Sequence, residues 1–235
     1  MPALKDKEVK FAITKEGQET VKDALPALKG EIEEYTVHFF DTDNLALAGK
    51  DLFLRVRQIT KGLADETDDA TCKLRGDKAA AAYAKYGEGN GKRKLEGDIN
   101  VDQPEKPSFS ITSAPPLTKI ATALADGTLL SAVFEPDASK MISETGVVWG
   151  NLLAYGPIKA KKWKAHLNGW DGKVTVEHWT TTNGTTILEV SDKVAAEKAD
   201  DFAQALSAYL KKQLKVTQLP ESKTKLALSN SAKNR

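Results

Sequence analysis

Acids and bases stand at alternate positions along several short stretches of this chain. Asp6, Glu8 and Lys10 share one parity of the opening run, while Val9, Phe11 and Ile13 take the other. Arg55 and Arg57 have one parity against Leu52, Leu54 and Val56, and Lys73 and Arg75 stand against Cys72 and Leu74. Lys92, Lys94, Glu96 and Asp98 line up in the same way. Guanidinium and ammonium groups bind phosphate oxygens, arginine through two parallel contacts. Carboxylates offer hard oxygens that suit Mg²⁺ or Mn²⁺ shared with phosphate. Such an inventory fits phosphoryl transfer, which needs charge stabilisation and positioning and no covalent nucleophile.

The elements that must position these groups follow from the period of two. Side chains on a strand alternate between faces, so each stretch offers one apolar and one ionic face. A single solvent-facing strand would look the same, but strand after strand with this pattern describes a barrel with an ionic interior. Helices lie between the strands. Thr14 can cap Lys15 to Leu25, closed by Pro26 and Gly30. Leu117 to Ala125 stops at Asp126-Gly127, and Ala195 to Leu214 carries Phe202, Leu206, Tyr209 and Leu210 in one apolar stripe. Gly76 to Gly91 reads as a loop with at most a helical turn, and Pro104 to Pro116 as an extended connection.

Lys173 to Trp179 and Thr185 to Ser191 flank Asn183-Gly184, a hairpin signal. A two-residue turn sets Glu189 opposite His178. A three-residue loop with Gly184 in the left-handed conformation pairs Thr181 with Thr185 and sets Glu177 opposite Glu189. Cβ atoms of opposed residues lie about 4.5–5.5 Å apart, and two carboxylates that close call for a proton or a cation between them.

These landmarks resemble the CYTH family, the triphosphate tunnel metalloenzymes, which takes in class IV adenylate cyclases, thiamine triphosphatases and tripolyphosphatases. The family's opening Glu-x-Glu-x-Lys appears as Asp6-x-Glu8-x-Lys10. Phe39-Phe40-Asp41-Thr42, Leu52-Phe53-Leu54-Arg55-Val56-Arg57, Cys72-Lys73-Leu74-Arg75, Lys94-x-Glu96-x-Asp98, the pair Glu177 and Glu189, and Ser222-Lys223 follow in the family's order. The resemblance implies one α+β domain over 1–235, an antiparallel eight-stranded β-barrel with helices packed outside, and an insertion around 135–156. It implies Lys10, Arg55 and Arg57 as catalytic groups, and Lys73, Arg75, Lys94, Lys161 and Lys223 as further substrate-binding groups. Among Lys159, Lys161 and Lys162, Lys161 is favoured because it shares parity with Lys159 and Trp163. Asp6, Glu8, Glu96, Asp98, Glu177 and Glu189 are the implied metal ligands, for Mg²⁺ or Mn²⁺. The resemblance favours the register that opposes Glu177 to Glu189.

The implied function is metal-dependent hydrolysis of an inorganic or organic triphosphate. The alternatives are cyclisation of ATP to cyclic AMP, or a catalytically degenerate module that binds polyphosphate or a nucleotide. The last is motivated by Glu189-Val190-Ser191, where the family has Glu-x-Glu.

Composition bounds these readings. The chain has 235 residues and a formal net charge of +1, so no global field draws it to nucleic acid or lipid. The expected partner is a triphosphate-bearing small molecule or inorganic polyphosphate, with neither nucleic acid nor membrane, and the expected state is a monomer or homodimer. One cysteine, an opening without an apolar leader, and no apolar run near the roughly 20 residues of a bilayer span point to the cytoplasm. Cys72 has outward parity and reads as a packing residue. His38, His166 and His178 lack metal-ligand spacing. Gly87-x-Gly89-x-Gly91-Lys92-Arg93 fails as a phosphate loop, because Arg93 replaces the Ser or Thr and no helix signal follows. Packing accounts for the four tryptophans as well as stacking on a base would.

Overall fold

Alternating side chains cover both faces of each strand with different chemistry, and a closed sheet is the arrangement that hides one face inside. In the computed structural model, which describes residues 4–29, 32–62, 67–125 and 127–234, ten strands form one sheet. They are β1 (Asp6–Ile13), β2 (Ile32–Asp41), β3 (Leu52–Lys61), β4 (Asp69–Arg75), β5 (Lys92–Asn100), β6 (Lys106–Ser113), β7 (Leu153–His166), β8 (Lys173–Thr180), β9 (Thr186–Ala195) and the two-residue β10 (Lys233–Asn234). Their order is β10-β7-β2-β3-β4-β6-β5-β1-β9-β8, and β8 pairs back onto β7. Nine strands therefore close a ring, with β10 added at the start of β7.

The barrel is thus nine-stranded and mixed, where eight antiparallel strands were expected. The ninth is β6, which read as a connection because its inward positions after Lys106 are Ser108, Ser110 and Thr112 rather than charges. A ring with an odd number of strands cannot alternate direction all the way round. The parallel pair is β1 with β5, where Glu8 aligns with Asp98.

The outer face is apolar and covered by helices. On one side Leu52, Leu54, Val56, Cys72, Phe109 and Ile111 pack beneath α2 (Lys78–Tyr86), α3 (Leu117–Ala125) and α4 (Pro136–Ser143). On the other, Val9, Phe11, Ile13, Val176, Leu188 and Val190 pack beneath α1 (Gln18–Ala24) and α5 (Ala199–Ser207). Phe11 and Phe109 are fully buried, each stabilising the fold by about 1.5–3 kcal/mol. Helix α2 replaces the loop expected from Gly76 to Gly91; its five alanines are strong helix formers, and Gly87, Gly89 and Gly91 fall after its end. The expected stops at Gly30 and Asp126, and the opening Met1 to Ala3, lie outside the described residues.

A third apolar cluster fills part of the barrel interior. Tyr35, Phe39, Phe53, Trp179 and Ile187 meet Ala227 and Leu228 of α6 (Lys223–Ser229). Asn230 ties this helix to the β8–β9 loop, its Oδ1 accepting from Asn183 Nδ2 at 3.1 Å.

Candidate functional site

The barrel encloses a cavity of about 1250 Å³. Among the described residues fifteen lysines and arginines and ten acids line it, although the whole chain carries a net charge of only +1. The excess of positive charge is concentrated inside, where low-dielectric walls strengthen it.

Strands β3 and β4 build one wall. Arg55 Nη2 lies 3.0 Å from Asp69 Oδ1, and Arg57 reaches Asp69 Oδ2 through Nε at 2.7 Å and Nη2 at 2.6 Å. Thr71 Oγ1 donates to Asp69 Oδ1 at 3.1 Å. Asp69 is nearly buried. Burial would raise its carboxyl, but Arg55 and Arg57 outweigh burial and hold it below the usual carboxylate range. The Arg57 guanidinium also lies over the Tyr35 ring, 5.3 Å from its centroid. One acid thus aligns two guanidinium groups on neighbouring positions of a single strand face. Arg55 Nε is buried and has no hydrogen-bond partner among the described residues.

Beside this wall, Asp98 of β5 gathers three bases. Arg75 Nε lies 3.0 Å away, Lys73 Nζ 3.2 Å and Lys10 Nζ 3.4 Å. Asp98 is buried; the three cations outweigh the effect of burial and hold its carboxyl down. Lys10 also pairs with Glu8 at 2.9 Å. Burial acts to lower the Lys10 ammonium, but Glu8 and Asp98 prevail and raise it. Lys73 goes the other way, lowered by burial with Lys10 and Arg75 adding to it. Three bases against two acids, Asp98 and Glu8, leave a surplus of positive charge pointing inward. Glu96, one inward position along β5, pairs with Lys94 at 3.4 Å and with Lys193 of β9.

Strands β8 and β9 build the acidic wall. Thr181 N donates to Thr185 O, Gly184 N donates to Thr181 O, both at 3.0 Å, and Gly184 has φ +86°. The three-residue loop is therefore the one adopted, and Glu177 stands directly opposite Glu189. Lys223, the first residue of α6, lies between them. Its Nζ is 2.8 Å from Glu189 Oε1 and contacts Glu177 Oε2. Burial would raise the Glu177 carboxyl, yet Lys223 holds it below its ordinary value. The nearby Lys10 ammonium, ahead of burial, pulls the Glu8 carboxyl well down, and Lys73 and Lys223 act in the same direction.

Lys10, Arg55, Arg57, Lys73, Arg75, Lys94, Lys223, Glu8, Glu96, Asp98, Glu177 and Glu189 thus line one cavity. Two expected residues lie elsewhere. Asp6 has the inward parity but stands exposed at the rim, one residue before β1 begins to pair with β5. Lys161 faces outward and pairs with Glu34 at 3.3 Å. Lys162 lines the cavity in its place, opposite Glu33, with which it pairs at 2.7 Å. Trp163 carried the signal: its parity is that of Lys161, and its ring packs under the outer helices with Nε1 donating to Leu25 O. Asp69 and Lys193 were also missed. Extending the alternation two residues before Thr71, and two beyond Ser191, finds both.

A divalent cation would be held by carboxylates, and the donor set was tested against that requirement. Glu177 and Glu189 oppose each other and Glu8 lies within electrostatic reach of Glu177, so hard oxygens converge on one side. Among the described residues no group of three or more His, Cys, Asp or Glu closes around a single point. The residues fit a cation that completes its shell with oxygens from a bound anion.

Among the described residues no helix is long and apolar enough to cross a membrane. No curated protein sequence matches the chain significantly. Solved structures share the fold, among them the following two. HpAC1 from Hippeastrum, described as a putative adenylyl cyclase with a dominant triphosphatase activity, superposes with a TM-score of 0.61 at 16% identity, covering 97% of each chain. A putative adenylate cyclase from Bacillus halodurans superposes at 0.57 with 15% identity, covering 95% of this chain and 98% of its own. The CYTH domain family itself matches residues 4–219. With its order of charged strands, its closed barrel and that match, the chain belongs to the CYTH domain family.

Proposed function

We propose that the protein hydrolyses a triphosphate, inorganic or organic, in its charged cavity and depends on Mg²⁺ or Mn²⁺ to do so. The observation that carries this reading is the clustering of Arg55, Arg57, Lys73, Arg75 and Lys10 on the inner face of one closed barrel, with a facing pair of glutamates. A triphosphate brings about four negative charges, and removing them from water is prohibitive unless cations replace the hydration. Arg55 and Arg57, already held side by side by Asp69, clamp adjacent phosphoryl groups. Lys10, Lys73 and Arg75 neutralise the next, their surplus over Asp98 being met by the anion. Lys94, Lys162 and Lys193 extend the positive lining beyond these groups.

Glu8, Glu177 and Glu189 would hold the metal, which supplies charge neutralisation at the transferred group and orientation of the attacking water when bound. Glu96 and Asp98 act as counter-ions to the basic groups around them, and Asp6 takes no direct part. We read 1–235 as one such domain, with 135–156 an addition outside the chemistry: no residue of that segment lines the cavity.

A non-catalytic polyphosphate or nucleotide binder is the second reading. Ser191 faces the cavity between Lys10 and Thr175, where a further carboxylate would strengthen a metal site. Phosphate release from tripolyphosphate, ATP and thiamine triphosphate, each with Mg²⁺ or Mn²⁺ and with cyclic AMP measured alongside, decides among the readings. Phosphate release without cyclic AMP is expected. Cyclic AMP as the main product would make the protein a cyclase, and binding without turnover would leave the binder.

A further inference from the structure

The acidic hairpin already contains a cation. Glu177 and Glu189 lie on directly opposed positions of β8 and β9, where Cβ atoms are about 4.5–5.5 Å apart, and the Lys223 ammonium contacts both carboxylates. This lysine is not a loose surface group. Its side chain is 11% exposed, and its ammonium lies over the Trp179 ring at 4.5 Å from the centroid, a second favourable contact for a positive charge. The backbone that carries it is fixed at both ends of α6. Ser222 caps the first turn by accepting from Lys225 N, and Ala227 and Leu228 are buried among the aromatic residues of the barrel interior. Further on, Asn230 and Ala232 bond to the loop that joins β8 to β9.

We infer that Lys223 is a tethered cation that occupies the divalent-metal position between Glu177 and Glu189, so that a metal ion binds there only by displacing it. The inference rests on the metal-dependent reading for the identity of the ion, and on geometry for the competition. Two carboxylates and one ammonium leave a net negative charge at the pair, so the site still attracts a divalent ion. An ion that contacted both glutamates would sit where Nζ now sits, and the two positive charges cannot share that space. A displaced ammonium would remain in the cavity on a four-carbon stem, still able to meet an anion there.

The test is Mn²⁺ titration without any triphosphate, by calorimetry and by the loss of the free Mn²⁺ electron paramagnetic resonance signal. Four proteins are compared: the parent, Lys223→Met, Lys223→Arg, and the double variant Lys223→Met with Glu189→Gln. Removing the charge should tighten Mn²⁺ binding at least tenfold. Lys223→Arg, which keeps the charge, should stay within about threefold of the parent, and the double variant should lose the gain. Metal-free Lys223→Met should melt below the parent, with Mn²⁺ restoring more of the midpoint than it adds to the parent. Should Lys223→Met not fold, Lys223→Gln serves for the same comparison. Equal Mn²⁺ affinity in parent and neutral variants, weaker affinity in the neutral variants, or no binding in any of them would overturn the inference. Because no triphosphate is present, a parent that fails to hydrolyse triphosphates leaves this result unaffected.

Discussion

The two faces of strand β3 share one backbone and have opposite physics. Outward, Leu52, Leu54 and Val56 are at most 1% exposed and lie under helices. Inward, Arg55 and Arg57 meet a single acid, and their side chains keep 33% and 23% exposure. The outer face gains stability from apolar area removed from water. The inner face concentrates charge that the fold compensates only in part. Stability and binding are thereby divided between alternate residues of the same element. Outward substitutions should therefore lower stability and spare the response to ligand, whereas inward ones should change that response, with or without a change in stability.

The largest effect should come from the outer face. Phe109 is fully buried on β6 and packs edge-on against Tyr83 with ring centroids 5.7 Å apart. Phe109→Ala should lower stability by about 3–5 kcal/mol, read by denaturant unfolding, while the rise in melting temperature produced by tripolyphosphate stays as in the parent. A lost ligand response in a folded variant would break the division.

On the inner face, Asp98→Asn should cost about 3 kcal/mol, the scale of leaving buried charges uncompensated. Here ligand and stability should be linked in the opposite sense. The polyanion takes over the role of Asp98, so tripolyphosphate should raise the melting temperature of the variant by more than it raises that of the parent. An equal or smaller rise would mean that Lys10, Lys73 and Arg75 do not meet the ligand.

Acidification sharpens the contrast further, because the carboxylates held down by neighbouring cations lie on the inner face. Glu8, Asp69, Asp98 and Glu177 all have carboxyls held below their ordinary values. A group depressed in the folded state contributes stability that is fully present above its unfolded value and is lost as pH falls through its folded one. With unfolded values of about 3.9–4.3, the melting temperature should drop steeply below pH 4. His38 and His178, both lowered by burial, add a shallower loss that begins near the unfolded histidine value of about 6.5. Asp69→Asn should flatten the steep part, and an unchanged profile would remove Asp69 from the account.

The smallest effect is expected at His178. It lies opposite Leu188 on the outward parity of β8, so His178→Ala should change stability by a few tenths of a kcal/mol, on the scale of an exposed contact, and should leave Mn²⁺ binding untouched.

How much of this could be read in the chain depended on where charge marked the inward face. Strands β1, β3, β4 and β5 announced themselves because their inner positions hold acids and bases, whereas Asn183-Gly184 left two registers open for the β8–β9 hairpin and the family resemblance favoured the one adopted. Strand β6 stayed hidden because Ser108, Ser110 and Thr112 satisfy the same alternation without charge. Its count also decides the topology, since a ninth strand requires a parallel pair somewhere in the closed ring, and that pair is β1 with β5. Lys161 and Lys162 could be told apart only through the preference of Trp163 for the outer apolar face. The contact of Lys223 with the acid pair was beyond reach altogether, because it depends on a helix that enters the barrel from the far end of the chain.

The central claim is that the inward arginines bind a polyanion. It is tested most directly by calorimetry of tripolyphosphate binding to the parent, Arg55→Ala and Arg57→Ala. Loss of one charge-assisted contact, worth roughly 1.5–3 kcal/mol, should weaken binding about ten- to a hundredfold in each variant and leave unfolding cooperative. Equal affinity in all three proteins would contradict the account.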